Sequence, residues 1–141
     1  MKRMWLVKPG LLFVGNFLDP RRYSPSVGMD LASHLQACGW AVLLTSSREN
    51  RLWRLLDMVS TIFLKRQFYQ VAHVDVFSGL AFLWAEVVCW ALRVLRKPYV
   101  LTLHGGNLPV FAKKWPGRVR KLLSSAAVVT APSQYLCQEM Q

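Results

Sequence analysis

Residues 71–106 read VAHVDVFSGLAFLWAEVVCWALRVLRKPYVLTLHGG, and this stretch decides the fold. It opens with a short β-branched run, 71–77, in which His73 and Asp75 alternate against Val74 and Val76. Gly79 then begins a long apolar helix that Pro98 stops near Lys97. A second short apolar run, 99–103, ends at His104-Gly105-Gly106-Asn107. Two strands joined by a helical crossover lie parallel. Residues 80–95 are apolar except for Glu86 and Arg93, and the run is shorter than the roughly 20 residues that span a bilayer. Glu86, Arg93 and Lys97 fall on one narrow helix face, so the spacing predicts a mostly buried core helix and not a membrane span.

The same alternation extends outward in both directions. LLFVG at 11–15, bounded by Pro9-Gly10 and Asn16, reads as a buried strand. Ser24-Pro25 starts a helix whose apolar positions are Val27, Leu31, Leu35 and Cys38, and Gly39 ends it. Residues 41–44 form a second strand. Leu52, Leu55, Leu56, Val59, Ile62 and Phe63 recur at helical spacing. On the C-terminal side, Asn107 is placed to cap a helix beginning near Pro109. Trp115-Pro116-Gly117 interrupts it, and Val119, Leu122 and Leu123 mark a further helix. Residues 126–130 form a fifth strand, and Ser133 caps a last helix. Apolar strands alternating with helices predict an α/β, Rossmann-like, doubly wound parallel sheet, in the order 3-2-1-4-5 with 11–15 central. Residues 1–141 form one domain, with no internal repeat, linker or low-complexity tract.

Composition limits the partners. With 53% hydrophobic residues among 141, the chain is not disordered. Eighteen Lys and Arg against seven Asp and Glu give a net charge of +11, which points to an anionic partner. Cys38, Cys89 and Cys137 form no CxxC pair, so neither a disulfide framework nor a zinc site is expected, and a reducing compartment is. Met1-Lys2-Arg3 resembles the start of a signal peptide, but Lys8, Pro9 and Gly10 interrupt the apolar run behind it.

In an open parallel sheet, ligands bind beyond the C-terminal strand ends. The order 3-2-1-4-5 would place the crevice between the loop after the first strand (Asn16, Asp19, Arg21, Arg22) and the loop after the fourth (His104, Gly105, Gly106, Asn107). His104 can present its imidazole there, with the two glycines leaving room for a sugar or phosphate; the plainer reading is a tight turn filled by a histidine. Asp19 is either a turn former or a ligand contact, and Arg21-Arg22 can bind a phosphate or an acidic sugar. His34 reads as a surface histidine and His73 as a structural one. No histidines are spaced as metal ligands. The dinucleotide, P-loop and nucleophile-elbow patterns are all missing. Lys113, Lys114, Trp115, Arg118, Arg120 and Lys121 form a basic, aromatic cluster, read either as a solvated helix face or as a dock for an anionic membrane. No recognised nucleic-acid module is visible, so nucleic acid is not an expected partner.

Residues 27–39 with the strand after them, PYVLTLHGG at 98–106, the strand 127–131 and PSQYL at 132–136 together resemble the N-terminal half of a family 4 glycosyltransferase of the GT-B fold. The resemblance implies two Rossmann-like domains facing across a cleft. The N-terminal one takes the acceptor, and the C-terminal one takes a nucleotide-sugar donor, with retention of configuration and no divalent metal. It matches His104 to a histidine that reaches the donor sugar and Ser133 to a helix start after strand five. Asn16-Phe17-Leu18-Asp19 departs from the family's glycine-rich turn. The chain is expected to lack the donor domain and, alone, not to turn over. No cofactor is expected on this chain, and a nucleotide sugar is expected for the complete enzyme. The expected partners are an acceptor glycan or glycolipid, the missing C-terminal domain or partner chain, and the anionic inner face of the cytoplasmic membrane. Two other classes stand beside this one: a non-catalytic membrane-surface or nucleotide-binding α/β module, and a small helical membrane protein. Continuation of the reading frame into a donor domain separates the first from the second, and strand content separates both from the third.

Overall fold

The computed structural model describes residues 10–17 and 27–141. Within them a five-stranded parallel sheet is built from β1 (Leu11–Val14), β2 (Val42–Thr45), β3 (Val71–Val76), β4 (Tyr99–Leu103) and β5 (Val128–Thr130). The intervening helices are α1 (Val27–Ala37), α2 (Arg51–Leu64), α3 (Leu80–Val94), α4 (Leu108–Lys114), α5 (Pro116–Ser125) and α6 (Gln134–Glu139). The α/β class and the parallel, Rossmann-like sheet are as the alternation predicts.

The strand order is not. It runs β2-β1-β3-β4-β5, so β3 and not β1 is central, and β1 and β4 are not neighbours. Leu11 to Val14 pair with Val42 to Thr45 on one side and with Val71 to Val74 on the other. The crossover through α2 therefore carries the chain back over β1 to its far side. Right-handed crossovers satisfy either order. β1 is interior in both; what differs is that β3, with Ala72, Val74 and Val76 buried, takes the interior place, and β2, which leaves Leu44 exposed, takes the edge.

The two faces of the sheet are covered unequally. Leu12, Val14, Ala72, Val74, Val76, Leu101 and Leu103 pack under α2, α3 and α5 in the main core. Phe13 and Phe17 meet α1 through Ala32, Met29 and Leu35 in a smaller one. On this second face β3 and β4 carry His73, Asp75 and Thr102, and β5 carries Thr130.

Several helix ends follow local rules. Asn50 caps α2, its Oδ1 accepting from the N–H groups of Leu52 and Trp53 at 3.0 and 3.3 Å. Ser133 Oγ caps α6 by accepting from Leu136 N–H at 3.2 Å. Asn107 sits at the start of α4, but its side chain makes no capping bond, because its backbone is already helical. The expected start of α1 at Ser24-Pro25 lies outside the described residues. No helix among the described residues is long and apolar enough to cross a membrane.

Candidate functional site at the end of β3

With β3 between β1 and β4, the topological switch point falls between β1 and β3. A cavity of about 430 Å³ opens there. Val14, Gly15 and Asn16 line it from β1, and Val74, Asp75, Phe77 and Ser78 from β3. Arg51, Arg54 and Met58 contribute from α2, and Leu80, Ala81, Trp84, Ala85 and Val88 from α3. The crevice expected between β1 and β4 is thus displaced by one strand.

His104 follows β4, as its sequence context predicts. Its N–H bonds the carbonyl of Val76 at 2.9 Å, which ties it to the end of β3. Its Nε2 donates to Asp75 Oδ1 at 2.9 Å, and its ring stacks on Phe77 with centroids 4.9 Å apart. The Asp75 side chain is 4% exposed and that of His104 13%. Strand alternation puts both on the α1 side of the sheet edge, whereas the cavity opens on the α2–α3 side. His104 does not line the cavity; Asp75 belongs to both.

The space for Asp75 comes from two glycines. A Cβ on Gly15 would lie 2.5 Å from Asp75 Oδ2, and one on Gly28, in the first turn of α1, 3.1 Å from it. A side chain at Gly15 would displace the carboxylate. Gly105, after His104, has φ +89, the left-handed region that favours glycine, and open space surrounds both Gly105 and Gly106.

A second imidazole flanks the carboxylate. His73 Nδ1 lies 3.9 Å from Asp75 Oδ1 and is buried without a hydrogen-bond partner. His73 Nε2 meets Thr102 Oγ1 at 2.6 Å, and its ring stacks on Phe13 at 4.6 Å. Burial pushes the pKa of His73 below its ordinary value; the Asp75 charge opposes that shift and His104 adds to it. His73 is therefore neutral near pH 7.

The other expected site residues are dispersed. Asn16 is exposed and lines the cavity. Asp19, Arg21 and Arg22 lie outside the described residues. Asn107 is exposed at the head of α4, and Ser133 is used in capping α6, beyond β5. The basic cluster is divided by the break at Trp115. Arg118 forms a two-pronged pair with Glu86 of α3, at 3.1 and 2.6 Å, and lies over the rings of Phe82, Phe111 and Trp115. It joins α5 to α3. Lys113 is 3.9 Å from Glu139, and Lys114 lies over Trp115, while Arg120 and Lys121 are exposed.

Sequence reasoning missed Asp75 as a site residue, along with Arg51, Arg54 and Trp84. The signal for Asp75 was a carboxylate within an apolar strand near its C-terminal end. The signal for the arginines was positive charge in the first turn of a helix, where the helix dipole disfavours it. No family model matches the chain, and no curated protein matches it.

Proposed function

We propose that this chain is the acceptor-binding half of a retaining, nucleotide-sugar-dependent glycosyltransferase that builds a cell-surface polysaccharide or glycolipid. The observation that carries the reading is His104, held by a buried carboxylate at the C-terminal edge of a parallel sheet and followed by a glycine turn into open space. The resemblance of residues 98–106 and 132–136 to family 4 glycosyltransferases supports it. The acceptor occupies the crevice at the ends of β1 and β3. The donor is bound by a second domain or partner chain and reaches His104 on the α1 side of the sheet, where Asp75 links the imidazole to the crevice. Asp75 orients the ring: with Nε2–H given to the carboxylate, Nδ1 is the polar atom left for the transferred sugar. His104 hydrogen-bonds that sugar and stabilises charge as the leaving group departs. The enzyme works at the inner face of the cytoplasmic membrane, which the net charge of +11 supports.

The test is sugar transfer by the chain expressed together with its donor-binding half. His104→Ala lowers kcat by roughly 10²-fold or more while the circular dichroism spectrum is unchanged. Asp75→Asn lowers kcat in the same direction. Wild-type turnover by His104→Ala overturns the assignment.

A further inference from the structure

The cavity between β1 and β3 is lined asymmetrically. Its α2 side carries Arg51 and Arg54, and its α3 side is the apolar wall of Leu80, Ala81, Trp84 and Val88. The two arginines stand in the first turn of α2, which carries no acidic residue and where the helix dipole opposes them. Arg54 is held in place, its Nε and Nη2 donating to the carbonyls of Arg48 and Glu49 at 2.9 and 3.1 Å. The Arg51 side chain makes no hydrogen bond or ion pair among the described residues; only its carbonyl is engaged, accepting from Trp84 Nε1 at 3.3 Å. Among the described lining residues the one carboxylate, Asp75, is already bonded to His104. The lining therefore holds an excess of positive charge with donors to spare, next to apolar surface that reaches solvent at exposed Leu80.

We propose that this cavity binds a phosphate or diphosphate group carried on an apolar chain. A phosphate dianion matches two guanidinium groups in charge and in paired hydrogen-bond geometry. The apolar chain lies along Ala81 and Trp84 and leaves past Leu80. The volume of about 430 Å³ accommodates such a head group with the first carbons of its chain. The proposal rests on the reading of this crevice as an acceptor site and adds the chemistry of the acceptor.

Octyl phosphate, below its micelle concentration, is the probe, with inorganic phosphate, octanoate and octyl glucoside as comparisons. Binding is read by calorimetry and by the Trp84 indole N–H resonance. Octyl phosphate binds at least about tenfold more tightly than each comparison, and Arg51→Gln weakens it about tenfold. Ala81→Phe, at an exposed position of the apolar wall, weakens octyl phosphate without lowering the unfolding temperature, and so tests the site should Arg51→Gln fold poorly. Equal affinity for octyl glucoside or octanoate, or an Arg51→Gln chain that binds as the wild type does, overturns the proposal. Octyl phosphate binding by a wild-type chain that transfers no sugar with its donor-binding half counts against the transferase reading alone, and intact transfer by an Arg51→Gln chain that no longer binds octyl phosphate counts against this one.

Discussion

The polar residues on the open face of the sheet form a directed chain. The carbonyl of Leu101 can only accept, so Thr130 Oγ1 donates to it at 3.3 Å. Thr130 then accepts from Thr102 at 2.7 Å, and Thr102 accepts from His73 Nε2–H at 2.6 Å. This order leaves the Nδ1 lone pair of His73 facing the Asp75 carboxylate at 3.9 Å, the buried nitrogen without a partner. Two expectations follow from the ring being neutral with its proton on Nε2. Nitrogen-15 NMR finds the Nε2–H tautomer at His73, and Thr102→Val shifts the population toward Nδ1–H, which can reach the carboxylate. Stability depends on pH in a defined direction. The unfolded chain takes up a proton at the ordinary histidine pKa of 6.5, whereas the folded chain resists it. The contribution is thus fully present above that value and is lost as pH falls through it toward the depressed folded pKa. Thermal unfolding between pH 8 and 5 shows the wild type losing more stability than His73→Gln, and a variant as acid-sensitive as the wild type refutes the assignment.

At the scale of elements, helix starts and helix faces behaved differently. Asn50 caps α2 through two backbone bonds and so fixes the turn that carries Arg51 and Arg54. Asn50→Ala costs about 1 kcal/mol, measured by denaturant unfolding, and because the first turn of α2 frays it also weakens octyl phosphate binding. A variant with unchanged midpoint refutes the capping role. Helix faces were less legible. The polar stripe of α3 predicts a mostly buried helix, yet Leu83 is 43%, Trp90 55% and Val94 54% exposed. The stripe is consumed in local bonds: Glu86 pairs with Arg118, Arg93 Nη1 donates to Tyr99 Oη, and beyond the helix Lys97 Nζ donates to the carbonyl of Tyr69. With α2 on one side and α5 on the other, no helix among the described residues lies above the apolar outer side of α3. In α1 the expected apolar positions Val27 and Leu31 are exposed, and Gly28 and Ala32 are buried instead. Gly28 leaves room where α1 passes the Asp75 carboxylate, and Ala32 packs with Phe13 and Phe17.

Over the whole molecule, the exposed apolar row of α3 lies beside α5 and its basic residues. An apolar row with Trp90, flanked by Arg120 and Lys121 and supplemented by Lys113 and Lys114, has the composition of a surface that seats at a lipid interface. The chain is expected to bind vesicles containing phosphatidylglycerol and not vesicles of phosphatidylcholine alone, and binding falls as salt rises. Each basic residue near the surface contributes about 1 kcal/mol, so neutralising Lys113, Lys114, Arg120 and Lys121 together abolishes sedimentation with the vesicles. Arg118 is left out of that set because its loss would release α5 from Glu86. Equal binding to both kinds of vesicle refutes the electrostatic part.

Element types and the parallel sheet were determined by the sequence alone, because periodicity, capping residues and prolines act within a few residues of where they stand. The same holds for His104: a histidine closing an apolar strand before two glycines lies at the sheet edge in any parallel arrangement. Strand order was decided only in the tertiary structure. Whether β3 adds beside β1 or beside β2 depends on which edge the α2 crossover buries best, and both solutions obey the same local rules and the same handedness. The site followed that decision. With β3 central, Asp75 meets His104 across 29 residues of sequence, Gly15 makes room for its carboxylate, and the cavity gathers Arg51 and Arg54 from one helix and Trp84 from the next. Side-chain contacts between separate elements arise when the sheet assembles, so no local pattern in the chain spells them out.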